Sequence, residues 1–96
     1  MKDQIALIRN YFQTKPVLKA FLFGSVARGN NDVQSDIDIL VELGEEADLF
    51  DFIAMQQELE CILHTTVDLV SSRGISPHIL PFIEKDKQLI YERKFR

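Results

Sequence analysis

Residues 23–43 read FGSVARGNNDVQSDIDILVEL. The second half of this stretch alternates. Ile37, Ile39, Val41 and Leu43 take the odd positions, while Asp36, Asp38 and Glu42 stand at even ones. A period of two marks a strand with one apolar face. The first half behaves differently. Gly24 ends a dense apolar run, residues 17–23, that itself reads as a strand. Residues 25–28 then begin a short helix that Gly29 closes, and Asn30-Asn31-Asp32 is a strong turn signal. The frame is strand, short helix, turn, strand.

Upstream, residues 3–14 read as a helix. Ile5, Ile8 and Phe12 fall on one face, Asp3 suits the start, and Lys15-Pro16 breaks the pattern. Downstream, Gly44 and Glu45-Glu46 form a connection to a long helix over residues 48–64. Its inner face is expected to carry Leu49, Phe52, Ile53, Leu59, Ile62 and Leu63. Residues 66–70, TVDLV, read as a short strand in which Asp68 points away from Val67 and Leu69. Ser76-Pro77 looks like a helix cap followed by proline at the first helical position, with Pro81 shortening or kinking that helix. Residues 88–92 read as a last edge strand. The expected fold is α/β (α+β): one small mixed sheet of three to four strands packed against helices, in a single domain over residues 1–96.

Composition excludes several classes. A chain of 96 residues makes room for one small domain, and its 46% hydrophobic content excludes disorder. So small a domain buries a limited share of its surface, so a large pocket is expected to borrow a wall from a partner or a second copy. A net charge of -4 argues against coating nucleic acid through its phosphates. Residues 85–96 nevertheless carry five of the eleven basic residues, as a solvated tail or as a contact for an acidic partner. The single cysteine, Cys61, excludes an internal disulfide and suits a reducing cytoplasm. It is expected to be a small core residue. No apolar run approaches the roughly twenty residues that span a bilayer, so no membrane association is expected.

The chemistry concentrates in three places. Asp36 and Asp38 point to the same side of one strand, with alpha carbons roughly 6.5–7 Å apart. Facing acids repel unless solvent or a cation relieves them, and an oxygen-only set suits magnesium or manganese. Asp68 offers a third carboxylate from another strand. If the two strands are neighbours, a spacing of about 4.8 Å suits a pair of ions about 3.5–4 Å apart. Before them, Gly24 lets a backbone approach a phosphate, Ser25 adds a hydroxyl donor, and Arg28 can reach a phosphate oxygen. Each part alone also has a bland account: a turn and cap for Gly24-Ser25, solvated charge for Asp36 and Asp38, a surface acid for Asp68, a surface ion pair for Arg28. Their order and spacing make the combination far more specific.

At these residues the chain resembles the polymerase-beta-like nucleotidyltransferases. Their signature is Gly-Ser, a spacer, Asp-x-Asp and a third acid on a later strand. Here the spacer is ten residues, and the acids are Asp36, Asp38 and Asp68. The stretch 23–43 closely resembles the minimal nucleotidyltransferase (MNT) subgroup. That resemblance implies that Asp36 and Asp38 bind both magnesium ions, that Asp68 completes one site and helps to activate the acceptor hydroxyl, and that Gly24, Ser25 and Arg28 hold the triphosphate. It further implies ATP as substrate and a helical HEPN-type toxin as partner, with the MNT chain as antitoxin attaching AMP to a toxin tyrosine. Two other expectations stand beside it: a binding module that neutralises its partner by contact alone, and a nucleotidyltransferase acting on a small molecule.

Overall fold

The computed structural model describes residues 2–27 and 36–94. Arg28, Gly29 and the turn at Asn30-Asn31-Asp32 lie outside the described residues, as do the side chains of Ser25 and Val26. The elements in order are α1 (Lys2–Phe12), β1 (Val17–Phe23), α2 (Gly24–Ala27), β2 (Ile37–Leu43), α3 (Leu49–Leu63), β3 (Val67–Ser71), α4 (Leu80–Asp86) and β4 (Gln88–Glu92).

The strands form one four-stranded sheet in the order β3-β2-β1-β4. β1 pairs antiparallel with both β2 and β4, and β2 pairs parallel with β3. A parallel pair needs a long crossover, and α3 supplies it. The sheet is therefore mixed, as expected, and β4 is an edge strand.

Alternation along the strands sends side chains to two faces. Ala20, Leu22, Ile37, Ile39, Val41, Val67 and Leu69 are buried on the first face, against Ile8 and Phe12 of α1 and Met55, Leu59 and Leu63 of α3. Removing each of these side chains larger than alanine from water contributes roughly 1.5–3 kcal/mol. On the reverse face Phe21 and Leu40 pack with Ile83 of α4. That face is only partly covered, which leaves room for polar groups at one end.

α3 begins at a reciprocal cap. The Asp51 N–H donates to Asp48 Oδ1 at 2.8 Å, and the Asp48 N–H donates to Asp51 Oδ2 at 3.0 Å. It ends at His64 in the left-handed conformation, φ 54°. Its rotation differs from the expectation. Leu49 and Ile53 are 67% and 45% exposed, whereas Met55 is buried beside Leu59 and Leu63. The helix is apolar over more than one face, so periodicity alone could not choose which part of that surface meets the sheet. Cys61 is exposed rather than a core residue. It lies two positions beyond buried Leu59, about 200° around the helix.

The segment after β3 also differs. Ser76 does not cap a helix at Pro77. Its hydroxyl accepts from the His78 N–H at 3.3 Å, and its carbonyl accepts from the N–H groups of Ile79 and Leu80. That turn postpones the helix to Leu80. Pro81 then sits near the helix start, where its missing N–H has no intrahelical partner to lose, so it opens α4 rather than kinking it.

The basic stretch near the end of the chain is partly docked. Arg93 donates to the Lys15 carbonyl at 2.8 Å and pairs with Glu46 at 3.4 Å, and Lys87 pairs with Glu84 at 3.1 Å. No helix among the described residues is long and apolar enough to cross a membrane.

Candidate active site

Parallel pairing of β2 with β3 sets Asp38 directly against Asp68. Their neighbours Ile37, Ile39, Val67 and Leu69 are buried on the first face. Both aspartates therefore belong to the reverse face, with Asp38 half-buried and Asp68 exposed. Asp36 lies just before β2 and is exposed. The Ile37 N–H donates to the Thr66 carbonyl at 3.0 Å, which fixes the strands at this end. Register thus brings Asp38 and Asp68 together and leaves Asp36 one pleat away. Among the described residues, no three His, Cys, Asp or Glu side chains stand as a closed metal-holding cluster.

Gly24 comes next to them from the other side. Phe23 pairs with Asp38 across β1 and β2, so Gly24 leaves the sheet beside that carboxylate. Its φ is +75°, and a Cβ there would overlap Asp38 Oδ2. Only glycine combines that backbone with that approach. Ser25 follows in α2. Gly24 just beyond β1, Asp38 on β2 and Asp68 on β3 follow one another across strands about 4.8 Å apart. This all-carboxylate donor set fits a hard divalent ion such as magnesium.

A groove of about 530 Å³ opens from Asp68 along β3, at the edge of the sheet. Phe23, Phe52, Ile75, Ser76 and Ile79 line it with Asp68. Arg73 also lines it, and its guanidinium donates to the Gly44 carbonyl at 2.8 Å, tying the turn after β3 to the end of β2. Sequence patterning gave no sign of this groove or of Arg73. The wall comes from an irregular loop, where no periodicity operates, and the run Ser71-Ser72-Arg73-Gly74 reads only as a turn.

Burial, then the hydrogen bond to Glu58, raises the Tyr11 phenol. The Glu46 carboxyl is lowered by its own backbone N–H and then by Arg93.

Comparison with known proteins gives the same outline. The family described as Polymerase beta, Nucleotidyltransferase matches residues 7–96. A Methanocaldococcus jannaschii protein provisionally named a protein adenylyltransferase is 38% identical over 93 residues, covering 95% of this chain and 93% of its own. A second from that organism, with the same provisional name, is 44% identical over 61 residues, covering 64% of this chain and 66% of its own, just short of two thirds. Among solved structures, a toxin–antitoxin complex with AMP-PNP superposes with TM-score 0.76 at 22% identity, over 98% of this chain and 76% of that one. A complex of a tri-AMPylated Shewanella oneidensis HEPN toxin with its MNT antitoxin gives TM-score 0.73 at 21% identity, over 96% and 72%. At these identities the structural likeness speaks for the fold. With the Gly24 approach and the paired Asp38 and Asp68 in place, and a family match over nearly the whole chain, the protein belongs to the polymerase beta nucleotidyltransferase family.

Proposed function

We propose that this chain transfers AMP from ATP to a hydroxyl group of a protein partner. The observation that carries the proposal is the register of Asp38 against Asp68, with Gly24 held open beside them. Asp36 and Asp38 would hold two magnesium (or manganese) ions, and Asp68 would complete one site. Ions held there would supply charge that lowers the pKa of the acceptor hydroxyl and offsets that of the leaving pyrophosphate. Gly24 leaves room for the triphosphate, and the family resemblance makes Ser25 and Arg28 the residues that would hold it. Asp68 takes the hydroxyl proton. The acceptor oxygen bonds to the α-phosphorus, the bond from that phosphorus to the bridging oxygen breaks, and pyrophosphate leaves with the electron pair.

The partner we infer is a HEPN-type helical toxin modified on a tyrosine, with this single-domain chain as its cytoplasmic antitoxin. The relatives' names and the toxin–antitoxin structures support that reading. The test incubates the full chain with candidate HEPN-type proteins, magnesium and ATP labelled at the α-phosphate. The expected result is label on the partner, abolished by EDTA and reduced at least about 10³-fold by Asp38→Asn, because both remove the charge stabilisation of the leaving group. A partner neutralised equally by Asp38→Asn, with no label transferred by either protein, would mean that contact alone does the work.

A further inference from the structure

We infer that Glu60 and Arg73 are positioning residues for Asp68: one at each end of β3, they keep that carboxylate opposite Asp38. This rests on the transferase reading above and adds to it two side chains that act through the strand.

The need for such residues lies in the register. β3 is five residues long and stands at the edge of the sheet, with β2 beside it. Val67 and Leu69 are buried on the first face with Ile37 and Ile39. That burial forbids a slip of one residue, which would turn both side chains to the wrong face. It does not forbid a slip of two. Moving β3 forward by two residues would set Val67 against Ile39 and Leu69 against Val41, which are again apolar pairs. Thr66 would then stand opposite Asp38 in place of Asp68. Alternation alone therefore leaves the catalytic register open.

Two side chains close it. Thr66 accepts from the Ile37 N–H and Ser72 donates to Val41, so the even-numbered residues of this segment bond to β2. Val67 thus turns its N–H to the outer side of the edge, where Glu60 Oε2 accepts it at 3.0 Å. Glu60 belongs to α3, whose Leu59 and Leu63 are buried in the core. The peptide just before Asp68 is in this way fixed to the crossover helix. At the other end, the Arg73 guanidinium donates to the carbonyls of Gly44 at 2.8 Å and Leu43 at 3.4 Å. The Arg73 N–H donates to Ser71 Oγ at 3.1 Å, which sets the turn that delivers the guanidinium. The end of β3 is thereby tied to the end of the strand that carries Asp38. A forward slip of two residues displaces β3 by roughly 6.6 Å and breaks both ties. Each is a hydrogen bond with one charged partner, stronger than a neutral one.

The test uses the full chain as wild type, Glu60→Ala, Glu60→Gln and Arg73→Ala. Three measurements are made: amide hydrogen exchange of the metal-free chain, broadening of the Asp38 and Asp68 amides by substoichiometric manganese, and AMP transfer kinetics. In Glu60→Ala the Val67 amide should exchange at least about tenfold faster. Broadening should weaken at Asp68 relative to Asp38, and kcat should fall at least about tenfold with the KM for ATP within about twofold. Glu60→Gln keeps an acceptor oxygen and should restore all three. Arg73→Ala should reproduce the fall in kcat and the weaker broadening at Asp68 while leaving the Val67 amide protected. Wild-type kcat and broadening in either alanine variant would overturn the inference. So would a Glu60→Gln chain as slow as Glu60→Ala, or a loss confined to the KM for ATP. Absence of manganese broadening at both Asp38 and Asp68 in the wild type would instead defeat the transferase reading itself.

Discussion

At Gly24 the backbone takes φ +75° while the space that a side chain would need is filled by the Asp38 carboxylate. The two constraints have separate consequences. A left-handed conformation at a non-glycine residue costs about 1–3 kcal/mol. Displacing Asp38 misplaces the group on which transfer depends, and a shift of about 1 Å in a reacting geometry can lower a rate about 100-fold. Gly24→Ala is therefore expected to lower the melting temperature modestly and to lower AMP transfer at least about 100-fold. Thermal melts followed by circular dichroism and labelled-ATP assays read the two effects separately. A variant that melts lower but transfers at the wild-type rate would show that the approach to Asp38 is only a packing matter.

Among the elements, α3 is where expectation and structure part. Leu59 is fully buried, while Ile53, assigned to the same inner face by spacing, is 45% exposed. The two leucine-sized side chains should respond very differently to substitution. Leu59→Ala leaves a cavity and is expected to cost about 2–5 kcal/mol. Ile53→Glu changes an exposed surface and should stay within about 0.5 kcal/mol. Urea unfolding of both variants decides the rotation of the helix. Equal losses would place Ile53 in the core after all. The start of the helix, by contrast, follows from its own residues, because the Asp48 and Asp51 cap is satisfied within four positions.

The molecule as a whole holds α1 against α3 partly through Tyr11. Its hydroxyl donates to the Glu58 carboxylate, and Lys15 lies 3.9 Å from the same carboxylate and 5.0 Å from the Tyr11 ring centroid. Burial first, and the Glu58 bond second, raise the phenol above its ordinary value. The folded state therefore keeps this proton where the unfolded chain releases it. The associated stability is fully present below pH of about 10 and is lost as pH rises through the folded value. Unfolding free energy should fall more steeply above that pH in the wild type than in Tyr11→Phe. Parallel slopes in denaturant titrations at pH 8, 10 and 11 would remove the pair from the account. Some of this structure was legible in the chain beforehand. The bounds of β1 and β4, the alternation of β2, the end of β1 at Gly24 and the reverse-face aspect of Asp68 all follow from local chemistry, since a period of two and a strand-ending glycine involve only a few adjacent residues. The parallel pairing that sets Asp38 against Asp68, the face of α3 that meets the sheet, the exposure of Cys61 and the groove walled by residues 73–79 do not follow in that way. They depend on which distant surfaces cover one another. Such choices are settled by the summed burial of the whole chain, and no window of neighbouring residues contains that sum.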